Sequence, residues 1–248
     1  MAEIYQTILN AKARGEKLLA VLLDPDKLSP AALPGIEKVF HGDMVDLILV
    51  GGSTVKKDLT QILVRELKKI TQLPILIFPG DFTQISQEAD GILFLTLLSG
   101  RNPEYLIEQQ IKSVPFLINS NLEVIPTGYI LIDGGKETAV QRVSKTTPLL
   151  QENITGIVHT ACAGMFLGNK LIYLEAGSGA EKSIAPYIIR EVSEKIQIPL
   201  IVGGGIRTQK QVEEAFKSGA DMVVIGTAFE QNAGVLNKIK MKKNESIH

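Results

Sequence analysis

Several residue types are scarce in this sequence, and each scarcity excludes a class of protein. There is no tryptophan, only 5% of the residues are aromatic, and 26 basic residues are balanced by 27 acidic ones. A nucleic-acid binder needs a basic surface or aromatic side chains on which bases stack, so the composition predicts no nucleic-acid partner. The single cysteine, Cys162, excludes an internal disulfide framework and favours a reducing, cytoplasmic compartment.

Long apolar segments are absent as well. No uninterrupted apolar run reaches the roughly 20 residues that a membrane-spanning helix needs. The N-terminal stretch carries Glu3 in a polar helical pattern, which does not predict a signal peptide. Apolar residues make up 45% of 248 residues, enough for the core of one α/β barrel. We therefore expect a single domain over residues 1–248, with an N-terminal helix within 1–16 and a frayed polar tail at 240–248.

Short apolar runs alternate with segments of helical period along the chain. Eight runs are predicted to be buried strands: Lys17–Leu23, Leu47–Val50, Pro74–Phe78, Gly91–Leu95, Val124–Ile132, Leu171–Leu174, Leu200–Val202 and Met222–Ile225. This alternation predicts an α/β fold with a parallel sheet, and eight such units predict a (β/α)8 TIM barrel. Only Pro79–Asp90 separates strands three and four, so a reduced or missing helix is expected there. The polar segment Gly134–Leu149 is interpreted as a loop.

Glycines directly follow the last three strands. The sixth strand leads into Glu175–Gly179, the seventh into Gly203–Arg207, and the eighth into Gly226 and Thr227. Glycine after a strand lets backbone N–H groups approach a ligand closely, and the N-terminus of the next helix adds a positive dipole. The alternative is that these glycines only make tight turns. Three such turns at one end of a barrel favour a phosphate site.

Polar side chains also follow the first two strands. Asp24 and Asp26 end the first strand, and Ser53 and Thr54 end the second. Oxygen ligands such as Asp24 and Ser53 suit Mg²⁺, which retains several waters and bridges substrate phosphates. The alternative for either aspartate is turn formation and helix capping, and it applies most to Asp26.

Glu175 is the only carboxylate among the residues of the three glycine turns. A negative group repels a phosphate, so its presence there needs a reason, and a general base that waits for a substrate hydroxyl supplies one. The alternative is a surface carboxylate that points away from the site. Tyr173 lies two residues earlier on the same strand face and could hydrogen-bond the same ligand, or could be ordinary core packing.

Five motifs together resemble a known family. They are Leu22–Lys27, Val50–Ser53, Tyr173–Gly179, Gly203–Arg207 and Gly226-Thr227. From about Leu18 to Phe229, the sequence resembles the geranylgeranylglyceryl phosphate synthase family of TIM-barrel prenyltransferases. The Tyr173–Gly179 stretch is highly specific, whereas the Gly203–Arg207 turn is common to many phosphate-binding barrels. The resemblance implies transfer of a polyprenyl (geranylgeranyl-type) group from its diphosphate to the C3 hydroxyl of sn-glycerol 1-phosphate. The products would be pyrophosphate and an ether lipid of the archaeal type.

The resemblance also implies roles for individual residues. Asp24 and Ser53 would bind Mg²⁺. The base role argued above for Glu175 agrees with this activity, because Glu175 can take the proton of the glycerol hydroxyl. The residues implied to hold sn-glycerol 1-phosphate are Tyr173, Leu174, Glu175, Ala176, Gly177, Ser178, Gly179, Gly204, Gly205, Gly226 and Thr227.

The second substrate and the assembly are less defined by the sequence. A prenyl chain needs an apolar groove, and the thin covering after strand three, near Phe78, Phe94, Leu97 and Leu98, is the candidate, with barrel packing as the alternative. The donor could be C20 or longer. Hexameric family members carry an aromatic anchor after strand five, and Gly134–Leu149 has no aromatic residue, so a homodimer is favoured over a hexamer. A lipid substrate and product are compatible with peripheral membrane contact.

Two other interpretations use the same glycine turns. One is a flavin- or sugar-phosphate-binding barrel with another activity. The other is a barrel that binds a phosphate without catalysis. Glu175 and Asp24 argue against the latter, because a pure phosphate binder gains nothing from added carboxylates.

Overall fold

Eight short apolar strands close into one parallel barrel. In the computed structural model, residues 4–28, 33–40 and 44–226 are described. Each strand pairs in parallel with its neighbours in sequence, and the first pairs with the last. The strands are β1 Leu18–Leu23, β2 Leu47–Val50, β3 Ile75–Ile77, β4 Gly91–Leu97, β5 Glu123–Leu131, β6 Leu171–Glu175, β7 Leu200–Gly203 and β8 Met222–Ile225. The predicted TIM barrel is confirmed.

Helices surround this barrel and cover its bottom. They are α1 Ile4–Ala13, α2 Leu33–Phe40, α3 Leu59–Ile70, α4 Gln109–Leu117, α5 Ala139–Ser144, α6 Ile154–Phe166, α7 Pro186–Ser193 and α8 Gln209–Lys217. Side chains of Asn153 and Thr208 accept backbone N–H bonds at the starts of α6 and α8. No helix in the described ranges is long and apolar enough to cross a membrane. The predicted tail at 240–248 lies outside the described residues.

The connection from β3 to β4 is thin, as expected. Among its described residues the only helical piece is a single 3₁₀ turn, Phe82–Gln84. A π-helical turn, Glu104–Glu108, then leads into α4. The space that a full helix would fill is therefore left between β3, β4 and α4, and it forms part of the site described below.

The segment after β5 differs from the prediction. Gly134–Leu149 was expected to be a loop, but it contains α5, whose first turn is capped by the Thr138 hydroxyl accepting from Gln141 N at 3.4 Å. The prediction was wrong because six residues are too few to show a helical period. Strand β5 also continues through Pro126, whose carbonyl accepts from Lys170 N at 2.8 Å.

Three aspartates fasten the bottom of the barrel. Asp46, Asp90 and Asp221 precede β2, β4 and β8, and each carboxylate accepts a backbone N–H from the start of the preceding odd-numbered strand, at 2.9, 2.7 and 2.9 Å. Asp221 also pairs with Lys12 of α1 at 2.7 Å. These hydrogen bonds satisfy backbone N–H groups at the starts of the strands, so they hold this end of the barrel closed.

Candidate active site

A polar chamber opens at the carboxyl ends of the strands. Most of the sequence-predicted site residues line it, namely Asp24, Ser53, Tyr173, Glu175, Ser178, Gly179, Gly204, Gly205 and Gly226. Two of the predicted residues contribute no side chain, because Leu174 and Ala176 are buried in the layer between the strands and the helices. Thr227 lies outside the described residues.

Glu175 ends β6 and lies almost completely buried, with 5% of its surface exposed. Its Oε1 accepts the backbone N–H of Gly177 at 2.7 Å. Burial raises the pKa of Glu175 to about 7, although the adjacent Tyr173 hydroxyl and the Gly177 N–H favour the ionised form and oppose the rise. A carboxylate with this pKa can accept a proton near neutral pH. The interpretation as a surface carboxylate is therefore wrong.

Three aromatic rings lie under this carboxylate. The ring centroids of Phe78, Tyr129 and Tyr173 are separated by 5.3 to 6.0 Å. The Tyr173 hydroxyl is buried beside the Glu175 carboxylate, to which it is the nearest side-chain donor. Burial raises the pKa of Tyr129 and of Tyr173 well above the ordinary value, and both stay neutral hydroxyls.

Gly203 was predicted to begin the β7 turn but not to bind the substrate, and its position allows no side chain. A Cβ at Gly203 would lie 2.4 Å from the Tyr173 hydroxyl and 2.9 Å from Glu175 Oε2. Gly204 has φ +80, and a Cβ there would lie 2.4 Å from Glu175 Oε1 and 2.6 Å from Gly177 N. Glycine is therefore needed at both positions for the β7 turn to approach the carboxylate.

The glycine turns present backbone groups to the chamber. Gly177, Gly179, Gly204 and Gly205 all have φ between +71 and +95. Backbones in this conformation form concave nests of N–H groups that bind anions. Gly226 is less restricted by the described residues, among which a Cβ there would meet only Leu22, at 3.7 Å.

Asp24 follows β1, Ser53 follows β2, and both line the same chamber. Asp24 Oδ1 accepts the Asp26 N–H at 3.0 Å, and Oδ2 pairs with Lys27 at 2.7 Å. Asp24 thus forms the turn that the sequence analysis considered as an alternative role. Among the described residues no group of three or more His, Cys, Asp or Glu side chains could hold a metal ion. One carboxylate and one hydroxyl still suit Mg²⁺, which takes its other ligands from water and phosphate.

An apolar groove adjoins the polar chamber. Both spaces share five lining residues, Gly52, Ser53, Phe78, Tyr129 and Val140. Of the four residues expected along a groove, Phe78, Phe94 and Leu97 do line it. Leu98 does not, because it packs between β5 and α6, against Gly128 and Gly164.

Several lining residues could not be recognised in the sequence. The groove wall includes Tyr105 and Gln110 from the segment before and within α4, and Val140 and Val143 from α5. The polar chamber also contains cationic side chains, from Lys27, Lys136, Arg142 and Arg207. Lys27 and Arg207 belong to the motifs at the ends of β1 and β7, whereas Lys136 and Arg142 are isolated basic residues in a polar segment, and only the fold brings them to the site.

The fold and the site together define an enzyme class: a (β/α)8 barrel with a phosphate-type cradle of glycine turns, a buried base and an adjoining apolar groove. Residues 11–244 match the PcrB family. The chain belongs to this family, and so to the TIM-barrel prenyltransferases that its motifs resemble.

Relatives of known name support the family. The geranylgeranylglyceryl phosphate synthase of Flavobacterium johnsoniae is 53% identical over 94% of this chain and 96% of that protein. The synthase of Thermococcus kodakarensis is 39% identical over 97% of this chain and 94% of that protein. A crystal structure of the Thermoplasma acidophilum enzyme, in complex with its substrate sn-glycerol-1-phosphate, has a TM-score of 0.89 and 32% identity over 96% of both chains.

Proposed function

We propose that this protein transfers a polyprenyl group from its diphosphate to the C3 hydroxyl of sn-glycerol 1-phosphate, for ether lipids of the archaeal type. The observation that carries the proposal is a buried base, Glu175, between a nest of glycine turns and an apolar groove. A flavin or sugar-phosphate barrel needs the turns but has no use for the groove.

The acceptor occupies the polar chamber. Its phosphate accepts hydrogen bonds from the backbone N–H groups of the turns at Ser178–Gly179, Gly204–Gly205 and Gly226. The glycerol hydroxyl then points toward Glu175, and the adjacent Tyr173 hydroxyl stabilises the ionised form of that carboxylate. Because Glu175 is held by the Gly177 N–H, its free oxygen faces the hydroxyl in one orientation.

The donor lies across the two spaces. Its prenyl chain fills the apolar groove, and its diphosphate lies at the junction, next to Asp24 and Ser53. These two residues would hold Mg²⁺, which supplies neutralisation of the charge on the leaving pyrophosphate. Lys27 and Arg142 add positive charge around the same junction.

The chemical step exchanges one carbon–oxygen bond for another. The bond between C1 of the prenyl group and the diphosphate oxygen breaks, and the electron pair leaves with pyrophosphate. The glycerol oxygen forms the ether bond to C1 and releases its proton to Glu175. The faces of Phe78 and Tyr129 line the junction and stabilise positive charge that develops on the allylic carbon.

We also propose that the enzyme is cytoplasmic and works as a homodimer with peripheral membrane contact for its lipid substrate. The single cysteine and the absence of an aromatic residue in Gly134–Leu149 support the compartment and the dimer. Sedimentation of the purified protein distinguishes a dimer from a hexamer.

The proposed function is tested with radiolabelled sn-glycerol 1-phosphate against prenyl diphosphates of increasing length. We expect Mg²⁺-dependent incorporation of label into an organic-soluble ether product, with sn-glycerol 3-phosphate as the matched control acceptor. Binding of the acceptor without transfer to any donor would favour the non-catalytic barrel. A yellow protein with flavin absorbance would favour the other alternative.

A further inference from the structure

Gln84 lies in the 3₁₀ turn after β3 and is almost fully buried, with 2% of its surface exposed. Its side chain pairs with both backbone groups of one residue in another loop. Nε2 donates to the carbonyl of Gly52 at 2.9 Å, and Oε1 accepts the Gly52 N–H at 3.4 Å. A buried amide is costly unless both of its polar ends are satisfied, and here one backbone unit satisfies both.

Gly52 lies between the two residues expected to hold the metal. It directly precedes Ser53, and a Cβ at Gly52 would lie 3.1 Å from Asp24 Oδ1. Gly80 packs on the other side, where a Cβ would lie 2.3 Å from the Gly52 carbonyl and 2.8 Å from Gln84 Nε2. A change in the position of Gly52 would therefore move Ser53 relative to Asp24.

The turn that carries Gln84 is also part of the prenyl groove. Phe82 begins this turn and lines the groove, and its backbone N–H donates to Gln109 Oε1 of α4 at 2.9 Å. The same short segment thus contacts the wall of the apolar groove at one end and the loop of the polar junction at the other.

We propose that Gln84 is a positioning residue for the diphosphate site. By holding Gly52, Gln84 fixes the position of Ser53 relative to Asp24, and so the arrangement of the two residues that would face the metal and the diphosphate. The turns that bind the acceptor follow other strands and do not depend on Gln84. This inference rests on the proposed function, because it presumes that a metal–diphosphate group binds at the junction.

The test compares two variants with a matched control. Gln84→Leu removes both hydrogen bonds, and Gln84→Glu keeps the size and the acceptor but loses the donor to the Gly52 carbonyl. The control is Gln87→Leu, which removes an exposed glutamine three residues further along the chain. The amide of Gln87 donates to the Phe116 carbonyl at 3.4 Å. Calorimetry measures the Kd of inorganic pyrophosphate with Mg²⁺ and, separately, the Kd of sn-glycerol 1-phosphate.

We expect both Gln84 variants to bind pyrophosphate with Mg²⁺ roughly tenfold more weakly, which is the effect of losing a buried hydrogen bond. Their Kd for sn-glycerol 1-phosphate, and both constants of the control, stay at the wild-type value. Steady-state kinetics should show the same split, with a raised KM for the donor and an unchanged KM for the acceptor.

Three results would overturn the proposal. In the first, the variants bind pyrophosphate as the wild type does. In the second, both ligands weaken equally, which marks a general structural role. In the third, neither variant folds, as judged by its thermal unfolding, so Gln84 serves stability. If the wild type itself binds no pyrophosphate with Mg²⁺ and transfers no prenyl group, the proposed function fails. That result is distinct from one in which only the positioning role of Gln84 fails.

Discussion

At the scale of single residues, Glu175 shows how burial turns an ordinary carboxylate into a base. Its position at the end of β6 encloses it between the aromatic rings and the β7 turn, and its pKa rises to about 7. In water the same group would be ionised at any physiological pH and would be a weak base. When Glu175 is ionised, its buried charge lowers the free energy of unfolding, so the chemistry of this residue is linked to the stability of the barrel.

Glu175→Gln should separate binding from chemistry. Glutamine keeps the size and can still accept the Gly177 N–H, but it cannot take a proton. We expect kcat to fall by roughly 10²–10⁴, the usual effect of losing a general base, with the acceptor KM unchanged or lower. In the wild type log kcat should rise with pH and level off above about 7, and this limb should vanish in the variant. A steep rise in KM at constant kcat would instead make Glu175 a positioning ligand.

The same substitution should stabilise the fold at high pH. Because the pKa of Glu175 is raised from 4.5 to about 7, the folded protein binds more protons than the unfolded chain between these values. The contribution of this group is therefore favourable below pH 4.5, is lost as the pH rises to about 7, and stays constant above. Urea unfolding at pH 8 should show a free energy of unfolding that is higher in the variant than in the wild type by on the order of 3 kcal/mol. If the difference between the two proteins is the same at pH 4.5 as at pH 8, the raised pKa of Glu175 is contradicted.

Gly226 offers a clean test of the acceptor site. Of the residues that the structure describes, a methyl group at this position would meet only Leu22, at 3.7 Å, whereas at Gly204 it would collide with Glu175 and the backbone. Gly226→Ala should therefore fold normally and raise the acceptor KM roughly tenfold, by narrowing the approach of the phosphate to the backbone. Gly204→Ala should lower the unfolding midpoint as well. An acceptor KM that is unchanged in Gly226→Ala would remove this turn from the site.

At the scale of secondary-structure elements, each end of the barrel serves a different purpose. The carboxyl ends of the strands lead into glycine turns that hold ligand groups. The amino ends are closed by carboxylates, and among them Asp221 bonds both to β7 and to α1. Changes at the two ends should therefore be independent in their effects.

Asp221→Ala should destabilise the protein without affecting catalysis. It leaves the Leu200 N–H buried without its partner and removes the ion pair to Lys12. We expect the free energy of unfolding to fall by roughly 2–4 kcal/mol, measured by urea denaturation, with kcat unchanged. Glu16→Ala, which removes the exposed pair with Arg14, is the control and should leave the midpoint unchanged. A large loss of kcat in Asp221→Ala would show that the two ends are coupled.

At the scale of the whole molecule, two unlike spaces meet at one junction. The missing helix after β3 leaves an apolar groove, and α5 forms a wall between this groove and the polar chamber. An amphiphilic donor can lie across both spaces, while a small phosphorylated acceptor needs only one. The affinities for the two substrates should therefore be separable by mutation.

Val143→Asp tests this separation. Val143 lines only the groove and is 36% exposed, so the change should not unfold the protein. A charge in the groove must lose water when the prenyl chain binds, and we expect the donor KM to rise roughly tenfold while the acceptor KM stays the same. Ile62→Asp, on the outer face of α3 and 44% exposed, is the matched control. Equal effects of both changes on the donor would exclude the groove as its binding place.

The sequence alone was sufficient for the barrel and for most of the polar site. Buried apolar runs such as Leu47–Val50 and Met222–Ile225 match the strands of the structure because burial on both faces leaves a purely local signal. The glycine turns and Glu175 were recognisable because they directly follow strands, and strand ends meet at one edge of a parallel barrel.

Tertiary structure alone decided the rest. Helix α5 is too short to show a period, Leu98 packs outside the groove, and Gln84 finds its partner 32 residues away. The pKa of Glu175 depends on burial, which belongs to the assembled barrel and to no single segment. A local pattern can specify which backbone forms and which side chains are buried. Which distant groups then become neighbours, and how much water they retain, is set only when the strands close.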